Sequence, residues 1–136
     1  MKNYRYLDHT ADLGIEVQGQ TPEELFTNVG VAIFETQLSG EIKDNKNLSI
    51  ILSNESFEEL FVDWCRELLY NFSVNGFIPK TYEVSIKNLK LKAQLRGDRF
   101  DLKRHSIKTE IKNITYHELQ IGKVNDQYRA RVIFDV

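Results

Sequence analysis

The sequence contains one cysteine, Cys65, and two prolines in 136 residues. A lone cysteine excludes an intrachain disulfide and any multi-cysteine zinc cluster, and points to a reducing compartment, the cytoplasm. No apolar run approaches the roughly 18 residues of a membrane-crossing helix. The opening Met1-Lys2-Asn3-Tyr4-Arg5 leads into no apolar signal core, so neither a membrane span nor export is expected. A GxSxG elbow, a glycine-rich phosphate loop and a Walker lysine are all missing, which removes the commonest hydrolase and nucleotide-binding signatures. Zinc deaminase chemistry fails for want of cysteines. What remains is an ordinary globular balance, 41% hydrophobic and 28% charged, in a length that suits a single domain over residues 1–136.

Charge is nearly balanced overall, at −2, which does not suggest a nucleic-acid binder. The average conceals an asymmetry. Ten Lys/Arg against four Asp/Glu lie between Lys80 and Lys112, so that stretch carries +6 and the rest of the chain −8. Such a half could dock an RNA or an acidic protein, but the alternating pattern reads more simply as the solvent face of amphipathic strands.

Two segments carry helical periodicity. The first opens at Thr21-Pro22-Glu23-Glu24, where Thr21 caps, Pro22 suits the first helical position and Glu24 completes a capping box. Leu25, Val29, Ala32, Ile33 and Leu38 share a face, and Gly40 is placed to end it. The second begins near Ser53 to Ser56, with Ser56 and Glu59 as a second capping box, and runs through Phe57, Leu60, Phe61, Trp64, Leu68, Leu69 and Phe72 to Asn75-Gly76. Its aromatic stripe reads as core, with Cys65 a small buried hydrophobe.

The remainder alternates with period two. Tyr4 to Leu7, Leu13 to Gln18 and Leu48 to Leu52 read as short strands. After Pro79 a run of strands follows, with Ile107 to Tyr116 as one of them and Asn125-Asp126 as a terminal hairpin turn. The expected fold is α+β: a two-layer sandwich, two helices packed on one face of a mostly antiparallel sheet.

Alternation places Asp12 opposite in sense to Leu13, Ile15 and Val17, and Asp135 opposite to Val132, Phe134 and Val136. If both apolar rows meet the helices, Asp12 and Asp135 emerge on one open face, where a hard divalent cation could bind with a terminal oxygen of Val136. Two solvated aspartates are the simpler reading of alternation alone. The loop Asp8-His9-Thr10-Ala11-Asp12 is dense in polar groups that could equally serve as Asx- and ST-turns. His9 with His105 or His117 could make a zinc-like site, but the three histidines show no HxH or HExxH spacing and read as structural or surface groups.

Asp8-His9-Thr10-Ala11-Asp12-Leu13-Gly14 resembles the signature of the archease family, small accessory proteins of RtcB-type RNA ligases. Similar blocks follow in order: Thr21 to Phe26, Glu59 to Trp64, Gly97 to Lys112, Lys112 to His117 and Val132 to Val136. The resemblance implies a non-enzymatic activator that promotes guanylylation and multiple turnover of the ligase in tRNA splicing or RNA repair. It implies a metal site at Asp12, Asp135 and Val136, for Ca²⁺ as usually described, with Mg²⁺ or Mn²⁺ as cellular alternatives. The expected partner is the ligase, with RNA met indirectly, and the expected state a monomer. Asn113-Ile114 stands where the family usually has Ala-Val, and Asn113 is expected to face the helices. Two other readings compete: a metal-dependent phosphoesterase using Asp12, His9 and Asp135, and a stand-alone RNA-binding module using the basic half.

Overall fold

The computed structural model describes residues 2–8 and 12–136. The fold is α+β, with strands β1 (Tyr4–Leu7), β2 (Leu13–Gly19), β3 (Leu38–Ser39), β4 (Lys46–Ser53), β5 (Phe77–Lys87), β6 (Lys90–Arg99), β7 (Ser106–Ile107), β8 (Asn113–Val124) and β9 (Gln127–Asp135). Helix α1 (Pro22–Gln37) follows β2, and α2 (Phe57–Asn75) follows β4.

Both helix starts obey their capping chemistry. The Thr21 hydroxyl accepts from Glu24 N at 3.1 Å and the Ser56 hydroxyl from Glu59 N at 3.1 Å. Neither glutamate closes the box on its own cap. Glu24 reaches back to Gln20 N, and Glu59 instead accepts from the Tyr116 hydroxyl at 2.8 Å. Helix α2 ends as its sequence requires, on Gly76 at φ +70°. Helix α1 ends before Gly40: Leu38 is already extended and enters β3. Gly40, at φ +114°, is needed because a Cβ there would collide with the Arg104 carbonyl oxygen.

Every pairing is antiparallel. The strands divide into a four-stranded sheet, β1-β2-β9-β8, a three-stranded sheet, β4-β6-β5, and a two-stranded ribbon, β3-β7. β6 has neighbours on both sides, so the chain leaving it cannot add β8 there. The chain crosses instead to β9. The expected strand from Ile107 to Tyr116 is therefore broken: β7 pairs with β3, and β8 begins at Asn113. Gln37 holds the break, its carbonyl accepting from Lys108 N at 2.7 Å and its Oε1 from Ile111 N at 3.0 Å.

The helices occupy the apolar side of the strands, α1 against β2 and β5, α2 against β8 and β4. Ile15, Val17, Ala130, Val132 and Phe134 reach this core from one sheet, and Ile50, Leu91, Ala93 and Leu95 from the other. Trp64 is fully buried and its indole N–H donates to the Phe26 carbonyl at 2.9 Å, tying α2 to α1. Cys65 is likewise buried, and desolvation pushes its thiol pKa up, which keeps it protonated and inert.

β5 and β6 are pinched at a bulge, where Pro79 pairs with Gly97 and Thr81 with Arg96. A Cβ on Gly97 would collide with the Ile78 carbonyl oxygen and stand 2.9 Å from Pro79 Cα, both rigid backbone atoms. Gly97→Ala is therefore expected to cost about 3 kcal/mol, a fall of roughly 10 °C in Tm. Thermal unfolding by circular dichroism checks this; an unchanged Tm would mean that the strands part freely.

Candidate metal centre

β2 and β9 are central neighbours, and their register pairs Leu13 with Phe134, Gly14 with Ile133 and Glu16 with Arg131. Asp12 immediately precedes β2 and Asp135 is the last residue of β9, so both lie beside the Leu13–Phe134 end of the ladder. Both aspartates and Val136 are exposed. The end of β9 is fixed from the other side, where Lys112 N–H donates to the Asp135 carbonyl at 2.7 Å. Asp12 and Asp135, two of the three residues expected as ligands, sit at the same end of the β2-β9 pair, with Val136 next in the chain.

The same open face carries a third carboxylate, which the sequence reading left without a role. Glu16 lies between Arg5 and Arg131, accepting from their Nε atoms at 2.9 and 2.6 Å. Burial raises its pKa, but the two guanidiniums outweigh that and hold the carboxyl below its usual range. Glu16 is thereby a bracing group across β1, β2 and β9. The signal in the sequence was its parity with Asp12 and Arg131, which only the register could convert into contact.

The donor set at Asp12 and Asp135 is all oxygen, open to water on the solvent side. That suits a hard cation such as Ca²⁺, which takes six to eight oxygens and accepts water among them. Among the described residues no three His, Cys, Asp or Glu side chains gather at one point.

His105 and His117 do not join this site. His9 lies outside the described residues. His105 is buried in the turn after β6, where Nδ1 accepts from Asp101 N at 3.0 Å and Nε2–H donates to the Glu41 carbonyl at 2.9 Å. His117 is exposed on β8 beside Glu118. Asn113 also corrects an expectation: it is exposed, its Oδ1 accepting from Ile114 N at 2.8 Å, and Ile114 faces the core instead.

Beside His105 lies a cluster that sequence reasoning missed. Asp98 is 2% exposed and grips Arg104 through two bonds, at 2.6 and 3.0 Å. It also accepts from Lys43 N at 2.9 Å and Arg99 N at 2.7 Å. The Arg104 guanidinium, helped by both backbone donors, overcomes burial and holds the Asp98 carboxyl well below the usual carboxylate range. The cluster clamps the 40–44 and 99–105 segments together.

Fold and site define a small α+β domain whose oxygen-rich groups sit at an open sheet end. Residues 4–136 match the Archease protein family (MTH1598/TM1083), and the chain belongs to that family. It is 36% identical over 143 residues to the protein archease of Methanosarcina barkeri, with 99% of this chain and 97% of that protein covered. It is 32% identical over 142 residues to the protein archease of Pyrococcus abyssi, with 100% of both covered. The solution structure of Methanobacterium thermoautotrophicum protein 1598 superposes over 100% of both chains with a TM-score of 0.81 at 26% identity. The crystal structure of an archease from Thermotoga maritima, described as a possible chaperone, gives a TM-score of 0.68 at 25% identity over 97% of this chain and 96% of that one. No helix among the described residues is long and apolar enough to cross a membrane.

Proposed function

We propose that this chain is a non-catalytic accessory protein that activates an RtcB-type RNA ligase, promoting its guanylylation and repeated turnover in tRNA splicing or RNA repair. The family match over residues 4–136 carries this reading. The description of the Thermotoga relative as a possible chaperone agrees with an accessory role. In this reading the chain works in the cytoplasm as a monomer that docks on the ligase.

Asp12, Asp135 and an oxygen of Val136 are the groups that would hold a divalent cation, Ca²⁺ first, with Mg²⁺ or Mn²⁺ as cellular alternatives. Bound there, the ion would supply a compact positive charge for phosphate or carboxylate oxygens of a partner site. The chain's own part is positional. The Arg5–Glu16–Arg131 row and the Lys112 bond to Asp135 stiffen the strands that carry the two aspartates.

Multiple-turnover RNA ligation with limiting RtcB-type ligase, GTP and Mg²⁺ or Mn²⁺ tests the reading. Ligase alone should stall near a single turnover, and adding this protein should let it continue. Equal progress with and without the protein would sink the activator role.

A further inference from the structure

We infer that the solvent face of the three-stranded sheet β4-β6-β5 is a docking surface for the phosphodiester backbone of RNA. The inference deepens the ligase-activator reading by adding direct RNA contact, and its test needs no ligase.

β6 alternates without a fault over residues 90–96. Leu91, Ala93 and Leu95 are buried, while Lys90, Lys92, Gln94 and Arg96 all stand exposed. Residues two apart on a strand are roughly 6.6–6.8 Å apart. Lys90 and Lys92 therefore stand one such step apart, a spacing like that of successive phosphates along an extended nucleic-acid strand, and Arg96 lies two steps beyond Lys92, past Gln94. Lys87 of β5 lies directly opposite Lys90, which makes a fourth. The only acid at an outward position on these strands is Glu83, opposite Gln94. This face thus carries four cations against one carboxylate on a chain whose net charge is −2.

Two contrasts separate this from an ordinary solvated face. On the four-stranded sheet Arg5 and Arg131 each have a carboxylate partner, sharing Glu16 at 2.9 and 2.6 Å. Among the described residues no carboxylate lies within 4.0 Å of Lys87, Lys90, Lys92 or Arg96; Arg96 donates to the Asp44 carbonyl at 2.9 Å. Furthermore, like charges directly opposite on paired strands destabilise a sheet, so the Lys87–Lys90 pair works against the hairpin that holds it. A local rule broken without structural gain is what a functional surface looks like.

The surface also says what kind of polyanion it fits. Its remaining outward groups are mainly hydroxyls and amides, such as Ser49, Ser53, Ser85 and Gln94, able to bond phosphate or 2′-hydroxyl oxygens. Ile51, 66% exposed, is its one large apolar side chain. A protein partner would want an aromatic or aliphatic anchor in a pocket, whereas phosphate contacts need only cations and hydrogen-bond donors. With no aromatic platform for bases, binding is sequence-tolerant and driven by counterion release.

Fluorescence anisotropy with a labelled single-stranded RNA of about 20 nucleotides tests this, from about 50 mM to about 200 mM salt. Wild-type protein should bind with a log–log salt slope of roughly −2 to −3. Lys90→Gln/Lys92→Gln should weaken binding by roughly 10-fold at low salt and flatten the slope by roughly 0.7 per lysine. Lys2→Gln/Lys123→Gln removes the same charge outside this sheet and should bind like wild type. Tm of each variant shows that the fold is kept, since all four lysines are exposed. No binding at low salt, equal weakening in both double variants, or tighter binding of poly-glutamate than of RNA at matched charge would overturn the proposal, the last in favour of an acidic protein. RNA binding without ligase stimulation would leave this surface standing while the activator reading fell.

Discussion

Asp12→Asn and Asp135→Asn are each expected to return the ligase close to a single turnover while the protein stays folded. Asp12 immediately precedes β2 and Asp135 closes β9, beside the Leu13–Phe134 end of their ladder. Asparagine keeps the shape and one carbonyl oxygen of each side chain but removes the negative charge that a hard cation needs. Loss of a first ligand should reduce the stimulated rate at least roughly 10-fold, since even outer-shell changes weaken metal sites on that scale. Both residues are exposed, so stability should change by less than about 1 kcal/mol. Calcium titration by calorimetry supplies a readout free of the ligase: wild type should give a binding heat that either variant loses. Variants that stimulate ligation fully would remove the carboxylates from the mechanism and leave the accessory role in place.

Asp98→Asn should cost about 3 kcal/mol at neutral pH, the scale of breaking a buried ion pair. The change removes the charge that Arg104 answers at 2.6 and 3.0 Å and loosens the segments tied through Lys43 and Arg99. The folded carboxyl titrates well below its ordinary value, chiefly because of Arg104. Its stabilisation is therefore complete above the unfolded pKa of about 3.9 and is lost as pH falls below it toward the folded value. The gap in unfolding free energy between wild type and Asp98→Asn should hold from pH 7 down to about pH 4 and shrink in more acid solution. Denaturant melts across that range check both parts. A gap that stays constant in acid would mean that the charge does not carry the effect.

Much of this was legible in the chain itself. Thr21 and Ser56 announce two helix starts, and Gly76 one helix end, because capping is a local contest for a few backbone groups. The open-face position of Asp12 and Asp135 follows from period two, which any half-buried strand obeys. Gly40 misled in part: its residue type fits a helix stop, yet its task is to let the Arg104 carbonyl approach. Asn113 misled in the other direction, since a frame shifted by one residue exchanges inside for outside, and here Ile114 takes the core position.

By itself the sequence determined the two helices and their buried faces, the α+β class and the polar side of most strands, all of which depend on neighbours within a turn or two. The tertiary structure alone decided what meets what. It split the strands between two main sheets, set Glu16 between two arginines and buried Asp98 against Arg104. It also gathered Lys87, Lys90, Lys92 and Arg96 on one face with no carboxylate partner, whereas Arg5 and Arg131 of the other sheet share Glu16. Register joins residues 115 positions apart in the case of Glu16 and Arg131, and no local propensity encodes that.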